Sequence, residues 1–130
     1  MEPPVRRFSS GGPFEPLIGY SRAVVAGPFV FVAGTTAIVD GRLVGEGDAY
    51  AQTVQAFRNV EAALASAGAR LADVVQTRMF VTDIARWADV GRAHQEVFGD
   101  IRPVTAMLGV AGLIDPAMLV EVEAVAWLER

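Results

Sequence analysis

The sequence predicts a single α+β domain in which two helices cover one face of a mixed β-sheet. Three observations lead there. The chain has 130 residues, the size of one domain and long enough to build a core without staples. Two segments carry apolar residues at helical spacing, and both lie among β-rich runs. The last β-rich run, Leu119 to Trp127, alternates cleanly: Val120, Val122, Ala124 and Ala126 share one face, and Glu121, Glu123, Val125 and Trp127 share the other. A two-layer monomer would leave the apolar side chains of that second face in water, so the pattern also predicts an oligomer of identical chains.

Each element has its own signal. Residues 1–17 read as an irregular arm, rich in proline and glycine (Pro3, Pro4, Gly11, Gly12, Pro13, Pro16), and Gly19 extends it. Tyr20 to Ala26 reads as a first strand, Gly27-Pro28 as a turn, and Phe29 to Ala33 as an antiparallel return strand. Thr36 to Val39 reads as a third short strand. It meets Asp40-Gly41, a strong two-residue hairpin signal, and returns through Arg42 to Val44. Asp48 can cap a helix whose apolar stripe is Tyr50, Val54, Phe57, Val60 and Leu64. Gln52, Gln55, Arg58, Asn59 and Glu61 fall on its other faces, and Gly68 suits its C-terminal end. Val74 to Thr82 reads as a strand. Asp83 caps a second helix with apolar positions Ile84, Trp87, Val90, Ala93 or His94, and Val97, closed by Gly99. Arg102-Pro103 breaks the chain before a strand at Val104 to Val110, and Asp115-Pro116 turns it toward the last strand.

Composition excludes several chemistries. There is no cysteine, so no disulfide, thiol nucleophile or thiolate metal site is available. All 11 basic residues are arginine, which removes Schiff-base and Walker-lysine chemistry. His94 is the only histidine, so one chain cannot supply a histidine pair, and no metal or other cofactor is expected. The net charge of −4 disfavours nucleic acid as a partner. No apolar run reaches the roughly 20 residues that span a bilayer. Met1 to Gly12 has no apolar stretch after Arg6 and Arg7, unlike a secretory signal. A cytoplasmic protein is the expectation.

Few residues remain as candidates for chemistry. Glu121 and Glu123 lie on one face of the last strand, roughly 7 Å apart. Such a pair is costly on an interior strand unless paired or functional. A structural ion pair, to Arg78 or to a neighbouring subunit, is favoured for Glu123; for Glu121 the structural and the water-orienting readings both stand. His94, at helical spacing with Trp87, Val90 and Val97, reads as a core histidine. Gly34 and Thr35 end a buried strand, where backbone amides and hydroxyls can bind an anionic oxygen or simply turn the chain. Tyr20 reads as packing or as part of a site. Arg102 can clamp a carboxylate or cap the end of the second helix. Asp83, Asp89 and Asp100 read as a cap and solvated surface.

Three stretches together resemble the Rid (YjgF-like) family, also labelled L-PSP endoribonuclease: IGYSRAVVAGPFVFVAGTT from Ile18 to Thr36, VVQTRMFVTD from Val74 to Asp83, and RPVTAMLGVAGLIDPAMLVEVEAVA from Arg102 to Ala126. The similarity spans roughly residues 16–128, in order and spacing. The resemblance implies a fold like chorismate mutase of the trimeric type, a homotrimer with clefts between subunits, and hydrolysis of reactive enamines or imines to keto acids and ammonia. It also implies site roles: Glu121 orients the attacking water, and Tyr20 with the strand end at Gly34 and Thr35 completes the cleft. Where well-studied members carry an arginine that clamps the substrate carboxylate, this chain has Thr105, so it resembles the branch lacking the deaminase arginine. Arg102 is a candidate replacement, but three residues before Thr105 it points to the other face of a regular strand. The expected function is therefore a small-metabolite hydrolase or deaminase acting on a neutral or differently charged substrate. The alternative is a non-catalytic metabolite-binding module of the same fold. The endoribonuclease reading is disfavoured by charge, by the single histidine and by the absence of lysine.

Overall fold

A computed structural model describes residues 4–129. Strand formation starts earlier than the sequence suggests. Val5–Phe8 (β1) pairs antiparallel with Ala23–Ala26 (β2), Val5 opposite Ala26 and Phe8 opposite Ala23. The expectation of an irregular arm over residues 1–17 is thus corrected for this segment, while residues 1–3 lie outside the described residues. Four residues are too few to display an alternation, and an edge strand is specified by the partner it joins. The arm also contains a single wide helical turn, Glu15–Gly19, closed by Tyr20 N donating to Glu15 O at 2.9 Å. That turn holds Tyr20 outside the strand, so β2 begins at Ala23 and not at Tyr20.

Phe29–Thr35 (β3) returns antiparallel to β2. Ile38–Val39 (β4) and Arg42–Leu43 (β5) form a separate two-stranded ribbon, shorter than the expected strand at Thr36 to Val39. Asp40 at φ 51° and Gly41 at φ 78° take the left-handed conformations that a tight hairpin between such strands requires. The ribbon is tied down by Asn59, whose Nδ2 donates to Thr36 O and Ile38 O, both at 2.9 Å.

Ala49–Ser66 (α1) starts at Asp48, whose side chain accepts from Ala51 N at 3.0 Å. Phe57, Val60 and Leu64 are fully buried, as the stripe predicts, whereas Tyr50 and Val54 are only half-buried. Gln52, expected on a polar face, is fully buried. Its amide donates to Gly45 O and Ala117 O, each at 3.1 Å, and its carbonyl accepts from Leu119 N at 2.9 Å. This satisfied amide fastens two loops to the helix, which is why it is tolerated in the core.

Val74–Val81 (β6) leads through a short 3-10 turn at Ile84–Arg86 into Trp87–Phe98 (α2), and Val104–Gly109 (β7) returns parallel to β6. Val90, Ala93 and Phe98 are buried, but Ile84 and Trp87 are exposed; the expected stripe of the second helix loses its first two members, which lie outside the core cluster although Ile84 stands beside Gly109 at the end of β7. Val120–Trp127 (β8) runs antiparallel between β3 and β6, giving the sheet order β1-β2-β3-β8-β6-β7.

The result is an α+β fold: a mixed six-stranded sheet with α1 and α2 on one face. Val30, Val32, Met79, Val81, Val120, Val122 and Ala124 meet Phe57, Val60, Leu64, Val90 and Phe98 in one core cluster. The other face carries Phe29, Phe31, Val125 and Trp127, and Val104 and Leu108 stand exposed on β7. No helix among the described residues is long and apolar enough to cross a membrane.

Candidate functional site

Glu121 projects from β8 on the face away from the helices, where β3 has a bulge. Val32 lies opposite Ala124 and Thr35 opposite Val122, so β3 spends one more residue than β8 over this stretch. The distortion brings the Gly34 backbone against the Glu121 carboxylate. A Cβ at Gly34 would sit 2.7 Å from Glu121 Oε2 and 2.8 Å from Cδ. Glycine is required here for close approach and not for an unusual backbone angle.

Arg22, just before β2, organises the surrounding groups. Its Nη1 donates to Gly34 O at 2.8 Å and to Thr35 Oγ1 at 2.9 Å, and its Nη2 donates to the Tyr20 hydroxyl at 3.1 Å. Its Nε lies 3.8 Å from Glu15 Oε2. Glu15 is buried and accepts from Ser10 N and Ser10 Oγ. Burial pushes the Glu15 pKa up, but hydrogen bonds from Ser10 and Ser9 and the charge of Arg22 more than offset it, leaving the carboxyl below its usual range. Arg22 is thereby charge-compensated and held in place from several sides.

Glu121 has no such support. Among the described residues no donor hydrogen-bonds its carboxylate; the nearby guanidinium bonds go to Gly34, Thr35 and Tyr20. Burial raises its pKa, Glu123 raises it further, and Arg22 pulls it partly back. Glu123 sits differently, with Oε1 2.8 Å from Arg78 Nη2. That contact lies off hydrogen-bond geometry and acts as a charge pair, the structural role the sequence favours for this residue. Glu123 and Arg78 line a shallow groove of about 250 Å³ with Phe31, Gln76 and Val125.

Tyr20, Gly34, Thr35 and Glu121 therefore come together in one chain. Thr105 does not join them. It pairs in register with Thr77, on the helix-facing side of the sheet, whereas Glu121 pairs with Phe80 on the opposite side. Thr105 Oγ1 lies 2.7 Å from Thr77 Oγ1, which in turn lies 2.8 Å from His94 Nε2. Arg102 is exposed, takes φ 55°, and donates from Nε to Gly99 O at 3.1 Å. This is the helix-capping role, and it leaves Arg102 away from Glu121. Sequence reading passed over Arg22 and Glu15. The only signal was an arginine beside a strand and a glutamate in an apolar stretch, and neither has meaning before the arm folds back. Among the described residues no three His, Asp or Glu side chains cluster as metal ligands.

Residues 13–128 match the family described as Endoribonuclease L-PSP. An uncharacterized protein of Streptomyces coelicolor is 46% identical over 123 residues, covering 95% of this chain and 92% of that one. A RutC family protein of Pyrococcus abyssi is 35% identical, covering 88% and 91%. A crystal structure from Mycobacterium tuberculosis, of a member of the YjgF/YER057c/UK114 family, superposes with a TM-score of 0.87 at 53% identity, covering 95% of this chain and 99% of that one. A putative endoribonuclease of Thermotoga maritima superposes at 0.81 with 32% identity, each chain covered fully. The chain belongs to the Rid/YjgF family, whose fold it has.

Proposed function

We propose that this chain forms a homotrimer and hydrolyses a reactive imine or enamine, or a closely related small metabolite, in crevices between subunits. One observation carries the reading: a half-buried carboxylate, Glu121, lies against a strand end that only glycine permits and is left without a donor. A carboxylate so placed can hold a water by its free oxygens, and its raised pKa brings it closer to the range in which a carboxylate exchanges protons at neutral pH. In the proposed step, water oxygen bonds to the C=N carbon as Glu121 takes one water proton. Glu121 passes that proton to the nitrogen, giving a carbinolamine, and then moves the hydroxyl proton to the nitrogen as the C–N bond breaks, so a carbonyl product and ammonia leave with Glu121 again ionised.

The opposite orientations of Thr105 and Glu121 support a site between copies, because one chain cannot present both to one small ligand. The exposed apolar side chains Phe29, Phe31, Trp127 and Leu108 support burial by further copies. The charges favour a neutral substrate: Arg22 is matched by Glu15 and Arg78 by Glu123. Thr105 also favours one alternative, a metabolite-binding module without turnover. A neutral hydroxyl supplies less binding energy than a bidentate guanidinium, by a margin worth roughly tenfold in affinity or more. Cleavage of RNA fits poorly with a net charge of −4 and a half-buried single histidine.

The test is to generate an uncharged imine, and 2-iminobutanoate as its anionic counterpart, in the presence of semicarbazide. Protein that suppresses semicarbazone formation, with suppression lost in Glu121→Ala, supports hydrolysis. No suppression, with metabolite-dependent rises in Tm, supports the binding module.

A further inference from the structure

The chain of contacts from His94 through Thr77 to Thr105 links the gap between the helices to the exposed edge of the sheet. Thr77 is completely buried. The His94 ring is held edge-on by Phe57, with centroids 5.5 Å apart, and tilted against Phe98 at 4.8 Å. The contact between half-buried His94 and buried Thr77 already gives the Thr77 hydroxyl and His94 Nε2 a partner each. Thr105 needs nothing from them, since it is exposed and water could serve it. Its inclusion at 2.7 Å is what a purely structural pair leaves unexplained.

Hydrogen-bond counting restricts the arrangement. Thr77 has one hydroxyl proton and two neighbours to serve, the His94 ring nitrogen and the Thr105 hydroxyl. If it donates to Thr105, it must accept from His94 Nε2–H, and the Thr105 proton is free to point outward. If it donates to His94 Nε2, then Nε2 carries no proton, Thr105 donates inward, and only lone pairs face outward. From this geometry we infer that His94 is a positioning residue which, through Thr77, sets the Thr105 hydroxyl outward as a hydrogen-bond donor for an acceptor oxygen of the ligand. The inference rests on the proposed intersubunit site for the place of the ligand, but the proton order belongs to this chain alone. The Nε2–H form is the ordinary tautomer of neutral imidazole, and burial keeps His94 neutral by lowering its pKa.

Because His94 is the only histidine, ¹⁵N labelling of histidine reads the tautomer without assignment. The expected result is a protonated Nε2 and a bare Nδ1 in the native protein. In Thr105→Val the Thr77 proton loses its acceptor and turns to His94, so the population shifts toward Nδ1–H; Thr105→Ser restores the native pattern. A dominant Nδ1–H form in the native protein, or a tautomer indifferent to Thr105→Val, would overturn the inference. Titration with the uncharged ketone butanone, and with 2-oxobutanoate as its anionic counterpart, adds a functional reading. Affinity is expected to fall about three- to tenfold in Thr105→Val, the worth of one neutral hydrogen bond, and to recover in Thr105→Ser. Equal affinity in native protein and Thr105→Val overturns the outward donor. Failure of both 2-oxobutanoate and the uncharged ketone butanone to perturb any residue of the site counts against the proposed function, while the tautomer still decides the relay.

Discussion

Along β8 one backbone makes two unlike surfaces. Val120, Val122, Ala124 and Ala126 point into the helix layer and are buried to 2% exposure or less. Glu121, Glu123, Val125 and Trp127 point the other way and keep partial exposure. The inner surface is closed by its own chain: every side chain there meets α1, α2 or a neighbouring strand. The outer surface mixes apolar residues with a charge pair and an unpartnered carboxylate, a combination that one chain alone does not complete. Stability resides on one side of the strand and unsatisfied chemistry on the other. The difference shows where to look for function: at the groups the fold positions but does not satisfy.

Substitution of one phenylalanine on each side of the sheet tests this division. On the inner side, Phe57→Ala is expected to cost about 3–5 kcal/mol, read from denaturant midpoints. On the outer side, Phe31→Ala, which removes a half-exposed ring, is expected to leave subunit folding nearly unchanged. It should instead lower the association state measured by sedimentation or light scattering. A loss of several kcal/mol in Phe31→Ala with unchanged association would abolish the division between the faces.

Gly34→Ala comes next. The added methyl meets Glu121 Oε2 at a non-physical 2.7 Å, so a cost of about 1–3 kcal/mol is expected from overpacking. The double variant Gly34→Ala/Glu121→Ala removes the obstruction and should recover most of that loss, with a coupling energy above about 0.5 kcal/mol. Additive costs would mean that Gly34 serves its own backbone and not the carboxylate.

Two carboxylates should respond to pH with opposite sign. Glu15 is held below its ordinary pKa, so its contribution is present above the unfolded-state value and is lost as pH falls through the folded one. Glu121 is raised, so its protonated form is the better tolerated, and stability declines as pH rises from the unfolded value through the folded one. Glu15→Gln is expected to flatten the acid limb of the stability profile. Glu121→Gln is expected to raise stability near neutrality, by less than about 1 kcal/mol because the group is partly solvated. Midpoints measured across the acid-to-neutral range check both signs. The smallest effect is expected for Arg78→Met, at about 0–1 kcal/mol, since Arg78 is exposed and Glu123, although its Oε1 is buried, keeps partial exposure. Its use is to show that Glu123 and Glu121 differ: semicarbazone suppression should survive Arg78→Met and fail in Glu121→Ala.

Much of the fold was legible in the residues. Asp48 before a helical stripe, Asp40-Gly41 between short strands and the alternation of β8 are local signals with local causes, and each appears where expected. The less legible parts depend on distant partners. Val5–Phe8 becomes a strand because β2 offers an edge. Gln52 enters the core because Gly45, Ala117 and Leu119 supply its hydrogen bonds. Trp87 stays exposed although it shares the helical spacing of buried Val90. The same holds for the site: the family resemblance drew attention to Glu121 and Gly34, but not to Arg22, whose importance exists only once Glu15 and Tyr20 have been brought beside it.

What sequence alone determined was periodicity, caps, turns and the charge inventory. These follow from neighbours a few positions away, and the same residue spacing that makes a strand alternate also assigns Glu121 and Glu123 to one face. Tertiary structure decided which of those two carboxylates is paired, which glycine it rests against, and that Thr105 belongs with Thr77 and His94 rather than with Glu121. Those outcomes depend on strand order, on one bulge in β3 and on the parallel register of β7. They are set by contacts between segments far apart in the chain, which no local pattern encodes.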